Sequence, residues 1–280
     1  MSYTTLQVPG TQYALPMFPN NAIVSYPDDY NTTNKLYPTI IFFHGRGEAG
    51  KDLNTFINGW FLHRITVDKW IPQATNPITG QVEKFIVIAI QDAGGWSPYP
   101  SNARFGYNYI MDTLKLRVDP KRIFTTGLSS GGQTSLMYTD WDQSYVGKVA
   151  GVVSCSPAAM DAIAVTNLPL IVNTTKVWFI SGDQDGFTDN AKKYTNILNS
   201  AGGNALVTTY SGGHGGWDKI YDGTIKRDLN GKQVNIYEWM LGITEASTPP
   251  VVVPPVDPHI KKLLVTIKVY DNGDIEQIKS

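Results

Sequence analysis

The sequence predicts an α/β fold: an open, mostly parallel, doubly wound sheet with helices on both faces. Two observations carry this. Near-continuous apolar, β-branched runs alternate with helix-like segments, the pattern of parallel strands buried on both faces. One of these runs leads straight into Gly127-Leu128-Ser129-Ser130-Gly131, a serine set between glycines at a sharp strand-to-helix turn. With 280 residues the chain has room for one large domain and a little more.

In chain order, the N-terminal stretch from Tyr13 to Tyr26 is interrupted by Pro16 and Pro19 and followed by Pro27, and reads as edge strands antiparallel to the main sheet. The buried strands are Pro38 to Phe43, Lys84 to Ile90, Arg122 to Thr126, Lys148 to Val153, Lys176 to Ile180 and Ala205 to Tyr210. Asn102 to Arg117 reads as a helix stopped before Asp119-Pro120, and Gly132 to Tyr138 as the helix that leaves the serine turn. Thr188 is placed to cap a helix ending near Gly202-Gly203, and Asn235 to Leu241 reads as a last short helix. These elements form one domain over residues 1–244. Residues 245–258 contain STPPVVVPPVDP, an extended proline-rich linker. Residues 259–280 read as a hairpin, LLVTIKVY and DIEQIK around Asp271-Asn272-Gly273. So short a tail cannot hold its own core, so it either packs on the main domain or begins a further module.

Composition excludes several classes of function. A net charge of −1 leaves no electrostatic footprint for nucleic acid or anionic membrane. The longest apolar runs are strand-length, and no basic segment followed by an apolar one marks a signal peptide. The single cysteine, Cys155, lies in a strand-like run and reads as a buried structural residue. No C-x-x-C or H-E-x-x-H pattern points to a metal, and no cofactor is called for. The 7 Trp, 15 Tyr and 10 Phe fit an aryl- or sugar-binding surface and an aromatic core equally well.

A serine hydroxyl needs a base, and the base needs an orienting acid. Of the four histidines, His259 follows the linker and His63 sits in a helical run as a packed or surface residue. His44 lies in a glycine-rich loop where it would fix the backbone. His214, flanked by four glycines just past the last buried strand, is the base. The acid falls between Ser129 and His214, where Ser181-Gly182-Asp183-Gln184-Asp185 ends a strand. Asp185 is favoured, with Asp183 holding the loop through backbone N–H groups and Asp161 and Asp189 as distant alternatives. One oxyanion donor is the N–H of Ser130, after the nucleophile. The other comes from His44-Gly45-Arg46-Gly47-Glu48, with Arg46 first and Gly45 and Gly47 as rivals. Glu48 would brace that loop, paired with Arg46. A phosphate loop is ruled out because Lys51 is followed by Asp52 rather than a hydroxyl residue. Trp96 and Trp217 on loops at the strand ends would form a substrate platform.

The pieces HGRGEAG, VDPKRIFTTGLSSGG, ISGDQD and GGHGGW, in that order, resemble the esterase and predicted-peptidase branch of the α/β-hydrolase superfamily over roughly residues 20–243. That branch holds feruloyl and acetyl-xylan esterases and polyhydroxybutyrate depolymerase-like enzymes. The resemblance implies the α/β-hydrolase fold, Ser129 as nucleophile, Asp185 as acid, His214 as base, and Arg46 and Ser130 at the oxyanion positions. Ser181 stands where that branch often has histidine, and Ser130 where methionine is common, making the pocket wall smaller and more polar. The expected activity is a serine esterase acting on short or aryl acyl esters of polysaccharides, feruloyl or acetyl. The alternatives are a serine peptidase of the same fold or a non-catalytic carbohydrate-associated module. The expected partner is an ester substrate, small or polysaccharide-linked, with no nucleic acid and no membrane. The linker and the resemblance place the protein outside the cell or at its surface. The sequence leaves the oligomeric state open.

Overall fold

In a computed structural model, the described residues are 3–10, 20–94, 96–229, 231–244 and the backbone of two strands at 265–269 and 275–279. The main sheet has eight strands: β1 (Tyr3–Val8), β2 (Asn20–Ser25), β3 (Tyr37–Phe43), β4 (Ile86–Ile90), β5 (Val118–Leu128), β6 (Gly151–Cys155), β7 (Lys176–Gly182) and β8 (Leu206–Tyr210). Their spatial order is β1-β2-β4-β3-β5-β6-β7-β8. β1 pairs with β2 and β2 with β4 antiparallel, and every other pairing is parallel.

The parallel centre is buried because its runs are apolar on both faces. Every residue of β3, β4 and β6 is buried. Alternation then divides the side chains between two cores. Ile40 and Phe42 of β3 and Trp178 and Ile180 of β7 face one side. Ile41, Phe43, Val177 and Phe179 face the other. The first core is roofed by α1 (Leu53–Ile57), α2 (Trp60–Thr66), α7 (Asp218–Tyr221) and α8 (Ile236–Ile243), which contribute Phe56, Phe61, Tyr221 and Trp239. On the opposite face lie α3 (Pro100–Leu114), α4 (Ser130–Asp140), α5 (Ala162–Asn167) and α6 (Thr188–Ser200), through Ile110, Leu136, Ala164 and Leu198. Burying a side chain of that size is worth about 1.5–3 kcal/mol, so two roofed faces hold the sheet as a rigid platform for its loops.

Several boundaries move for physical reasons. α3 starts at Pro100, whose fixed φ suits a first helical position, and ends at Lys115 in the left-handed conformation. β5 begins at Val118 and so includes Asp119-Pro120. The ladder tolerates the proline because the register to β3 slips there, Tyr37 facing Val118 while Thr39 faces Ile123. α8 carries Asn235 as its N-cap, with Glu238 bonding back to complete a capping box. Thr188 lies inside the first turn of α6, its hydroxyl donating to the Gly182 carbonyl at 2.6 Å. The antiparallel N-terminal strand is β2, second in the sheet rather than at its edge, and Tyr13 to Pro19 lie outside the described residues. That edge is β1, a strand without a proline to mark it, and the other edge is β8, expected as a buried strand but only partly buried from Leu206 to Tyr210. In the tail, Val265–Val269 pairs antiparallel with Ile275–Lys279. The linker at 245–258 and the tail's turn lie outside the described residues.

Candidate active site

Loops at the carboxyl ends of β3, β5, β6, β7 and β8 converge on Ser129, the crevice where open α/β sheets hold their ligands. Ser129 has φ 57° and ψ −117°, a conformation that side chains rarely adopt. Such strain costs on the order of 1–3 kcal/mol and persists only where the surroundings enforce it. Here the enforcement is visible. The Ser129 N–H donates to the Cys155 carbonyl at 2.9 Å, and the Ser129 carbonyl accepts from Gln133 and Ala158, both at 3.1 Å. The flanking glycines let the turn fit. A Cβ on Gly127 would lie 2.5 Å from the carbonyl oxygens of Phe43 and Gly131, and one on Gly131 would lie 2.0 Å from that of Phe43. The G-x-S-x-G pattern is thus the signature of α4 packing directly on the backbone of β3.

His214 and Asp185 meet this serine. The His214 Nε2 lies 3.0 Å from Ser129 Oγ, and its Nδ1 lies 3.0 Å from Asp185 Oδ2. A carboxylate only accepts, so Nδ1 carries the proton and Nε2 is free to accept from the serine hydroxyl. Phe187 and Trp217 set their rings nearly perpendicular to the imidazole, 4.8 and 5.0 Å away. The Asp185 carboxyl is almost fully buried, and burial pushes its pKa up. Hydrogen bonds from the Phe187 N–H, the Ser156 hydroxyl and His214 outweigh that, leaving it below the usual carboxylate range. Asp183 points elsewhere. Its carboxylate accepts from the Gly212 N–H at 3.0 Å and ties the histidine loop to β7, which separates the two acids.

The loop after β3 forms a single 3₁₀ turn over Arg46–Glu48. The Gly45 N–H donates to Glu48 Oε2 at 2.7 Å, which removes Gly45 as a free donor. Among the described residues, the N–H groups of Arg46, Gly47 and Ser130 donate to no protein group. Glu48 therefore braces the loop by capping it, not by pairing with Arg46. The Arg46 guanidinium lies over the Trp96 ring, 5.6 Å from its centroid. Burial pushes the Glu48 carboxyl up to about 7, against the pull of the Gly45 N–H. His44 sits beneath, fully buried. The Asp92 N–H donates to its Nε2 at 2.9 Å, so its Nδ1–H donates to the Gly45 carbonyl at 2.7 Å. Burial holds its pKa down at about 4, so it is a neutral bracket. Gln91 completes the support, donating to the carbonyls of Glu48 and Asp52 at 3.0 and 2.9 Å.

Other expected residues separate cleanly. The Ser130 side chain is fully buried, so it does not form a pocket wall, and its hydroxyl has no partner among the described residues. Trp96 is 43% exposed beside Arg46. Trp217 is no free platform, since its ring packs on His214 and on the core and its Nε1–H donates to Ser156 Oγ at 3.3 Å. Cys155 is buried beside the Tyr221 hydroxyl, and burial pushes its thiol up to about 12. His63 is a surface residue 3.8 Å from Asp68. Ser156 escaped the sequence reading. The only signal was a small hydroxyl residue before Pro157 at the end of a buried strand. Among the described residues, no group of three or more His, Cys, Asp or Glu side chains could hold a metal ion.

No protein-family model matches the chain, and no curated protein matches it in sequence. Solved structures match it in fold. A thermostable esterase superposes with a TM-score of 0.59 at 18% identity, over 79% of this chain and 60% of the esterase. The chain thus spans less than two thirds of that protein. A ferulic acid esterase matches with a TM-score of 0.56 at 15% identity, over 87% of this chain and 97% of its own length. The chain has the α/β-hydrolase fold. An S-formylglutathione hydrolase from Staphylococcus aureus shares it, with a TM-score of 0.55 at 15% identity over 86% and 99% of the two chains. In this chain Ser129 follows β5, Asp185 follows β7 and His214 follows β8.

Proposed function

We propose that the protein is a serine esterase, a carboxylic-ester hydrolase working through an acyl-enzyme. The observation that carries this is the pair of 3.0 Å contacts that run from a strained Ser129 through His214 to a buried, ionised Asp185. In this reading Ser129 Oγ attacks the ester carbonyl carbon while its proton passes to His214 Nε2. The carbonyl oxygen takes up the electron pair and is held by the N–H groups of Arg46 and Ser130. Collapse of that intermediate breaks the bond to the leaving alcohol, whose oxygen receives the proton from His214. Water then repeats the cycle, giving its proton to His214 and its oxygen to the acyl carbon, and the acid leaves as Ser129 is restored. Asp185 stays ionised throughout and favours the imidazolium.

The substrate we propose carries a short or aryl acyl group, feruloyl or acetyl, on a polysaccharide. Three features support it. The His214 side chain is 37% exposed, so the reacting atoms lie at an open surface. Between β6 and β7 the chain forms only α5 and one short 3₁₀ turn, with no long lid. Trp96 offers an aromatic face beside the Arg46 loop. A catalytic domain at 1–244, a linker at 245–258, a hairpin tail and a place outside the cell belong to the same proposal. Among the described residues no helix is long and apolar enough to cross a membrane.

The test is hydrolysis of p-nitrophenyl acetate, methyl ferulate, a long-chain p-nitrophenyl ester and a peptide anilide by the wild type and Ser129→Ala. Turnover of the acetyl or feruloyl ester that disappears in the variant is the expected result. Equal rates in both proteins would refute the reading, and turnover of the anilide alone would make the protein a peptidase.

A further inference from the structure

Ser156 occupies the first position after β6 and is fully buried. Its N–H donates to the Ile180 carbonyl at 2.9 Å, which pins it between β6 and β7. Its φ is 47°, in the region that favours glycine, and the next residue is Pro157. A non-glycine residue held there costs stability that a glycine would not. The strain therefore accompanies something the side chain does.

The side chain accepts a hydrogen bond from Trp217, and that imposes a direction on it. The Trp217 Nε1–H donates to Ser156 Oγ at 3.3 Å, and an indole nitrogen can only donate. That engages an oxygen lone pair and leaves the hydroxyl proton free to turn toward the Asp185 carboxylate, which the Ser156 hydroxyl helps to hold below the usual carboxylate range. Asp185 Oδ1 is held by the Phe187 N–H at 2.8 Å and Oδ2 by His214. The same Trp217 ring packs edge-to-face on His214, 5.0 Å away. One indole thus touches the base with its ring and holds Ser156 with its N–H.

We infer that Ser156 is a positioning residue, its hydroxyl fixing the Asp185 carboxylate toward His214, and that Trp217 acts through it rather than as a substrate wall. The inference rests on the esterase reading and adds a second acid-side anchor to it. In low-dielectric surroundings such relays couple their members, so removing either end removes the same effect. Ser156→Gly relieves the positive φ while deleting the hydroxyl. Trp217→Phe keeps an aromatic ring at the position beside His214 and deletes the indole N–H together with part of the bicycle.

The test is steady-state hydrolysis of p-nitrophenyl acetate by the wild type, Ser156→Gly, Ser156→Ala, Trp217→Phe and the Ser156→Gly/Trp217→Phe double variant, with Ser129→Ala as control. The expected result is a kcat loss of about tenfold in each single variant at unchanged KM. The double variant loses no more than either single one, and Ser156→Gly melts no lower than wild type. Wild-type kcat in Ser156→Gly, a rise in KM at constant kcat in Trp217→Phe, or losses that multiply in the double variant would each overturn the inference. Activity persisting in Ser129→Ala would instead sink the esterase reading beneath it, so the two failures are distinct.

Discussion

Replacing Gly131 by alanine would place a Cβ 2.0 Å from the Phe43 carbonyl oxygen and 2.6 Å from that of His44. Both obstacles are backbone, in the strand and loop that lead to Arg46, so no side chain can swing aside. Ordinary contact begins near 3.4 Å, so α4 and β3 must part by about 1.4 Å. Overpacking a tight contact typically costs about 1–3 kcal/mol, and a clash with backbone belongs at the upper end. The consequence for catalysis is larger. Ser129 and the Ser130 N–H travel with α4, while the Arg46 N–H travels with β3. Parting the two spoils the site where both N–H groups would meet one oxyanion. A misplacement near 1 Å costs about 10²-fold in rate. Expected for Gly131→Ala is therefore a melting temperature lower by several degrees and a kcat on p-nitrophenyl acetate reduced about a hundredfold, more than the stability loss explains. A folded variant with wild-type Tm and kcat would refute the claim that close packing of the elbow on β3 sets the site.

The remaining predictions concern the acids. Asp185→Asn should lower kcat by about 10⁴ by reversing the hydrogen bond that sets the His214 tautomer, whereas Asp183→Ala, which loses only the Gly212 N–H contact, should cost under about tenfold; kcat values for the two variants decide between them. Glu48→Gln should change stability with a definite sign in pH. Burial raises the Glu48 pKa from 4.5 to about 7, so between those values the folded chain holds a proton that the unfolded chain has released, and this contribution to stability falls as pH rises through the window. The amide variant has no such slope, so the Tm of Glu48→Gln relative to wild type should climb from pH 4.5 to pH 7. His44, held neutral with a pKa of about 4, loses stability in the opposite sense as pH falls from 6.5, but does so in both proteins and cancels in the difference. A pH-independent gap would contradict the burial of Glu48.

The sequence showed the fold where one physical requirement dominated. Buried parallel strands must be apolar on both faces, so β3, β4 and β7 could be read directly. The serine turn was legible because only glycine fits against the Phe43 carbonyl. β1 was not, because an edge strand exposed on one side shows neither a long apolar run nor a proline. In the site, His214 and Asp185 stood out by loop chemistry, and Asp183 took the loop-holding place its position implied. Glu48 was placed correctly in the loop but given the wrong partner, since a residue list does not show that the nearest free donor is the Gly45 N–H. Ser156 was invisible for a related reason. Its work depends on a backbone conformation and on an indole 61 residues away in sequence, and no local pattern encodes either. Trp217 was singled out for its aromatic face, while the structure engages its ring edge and its N–H as well.

The central claim is that Ser129 is a nucleophile activated by His214. Incubating the folded protein with a fluorophosphonate probe and mapping the adduct by mass spectrometry tests it most directly. The account predicts one covalent adduct, on Ser129, formed in the wild type, absent in Ser129→Ala and strongly slowed in His214→Ala. An adduct on another residue, or none on protein whose melting transition shows it to be folded, would contradict it.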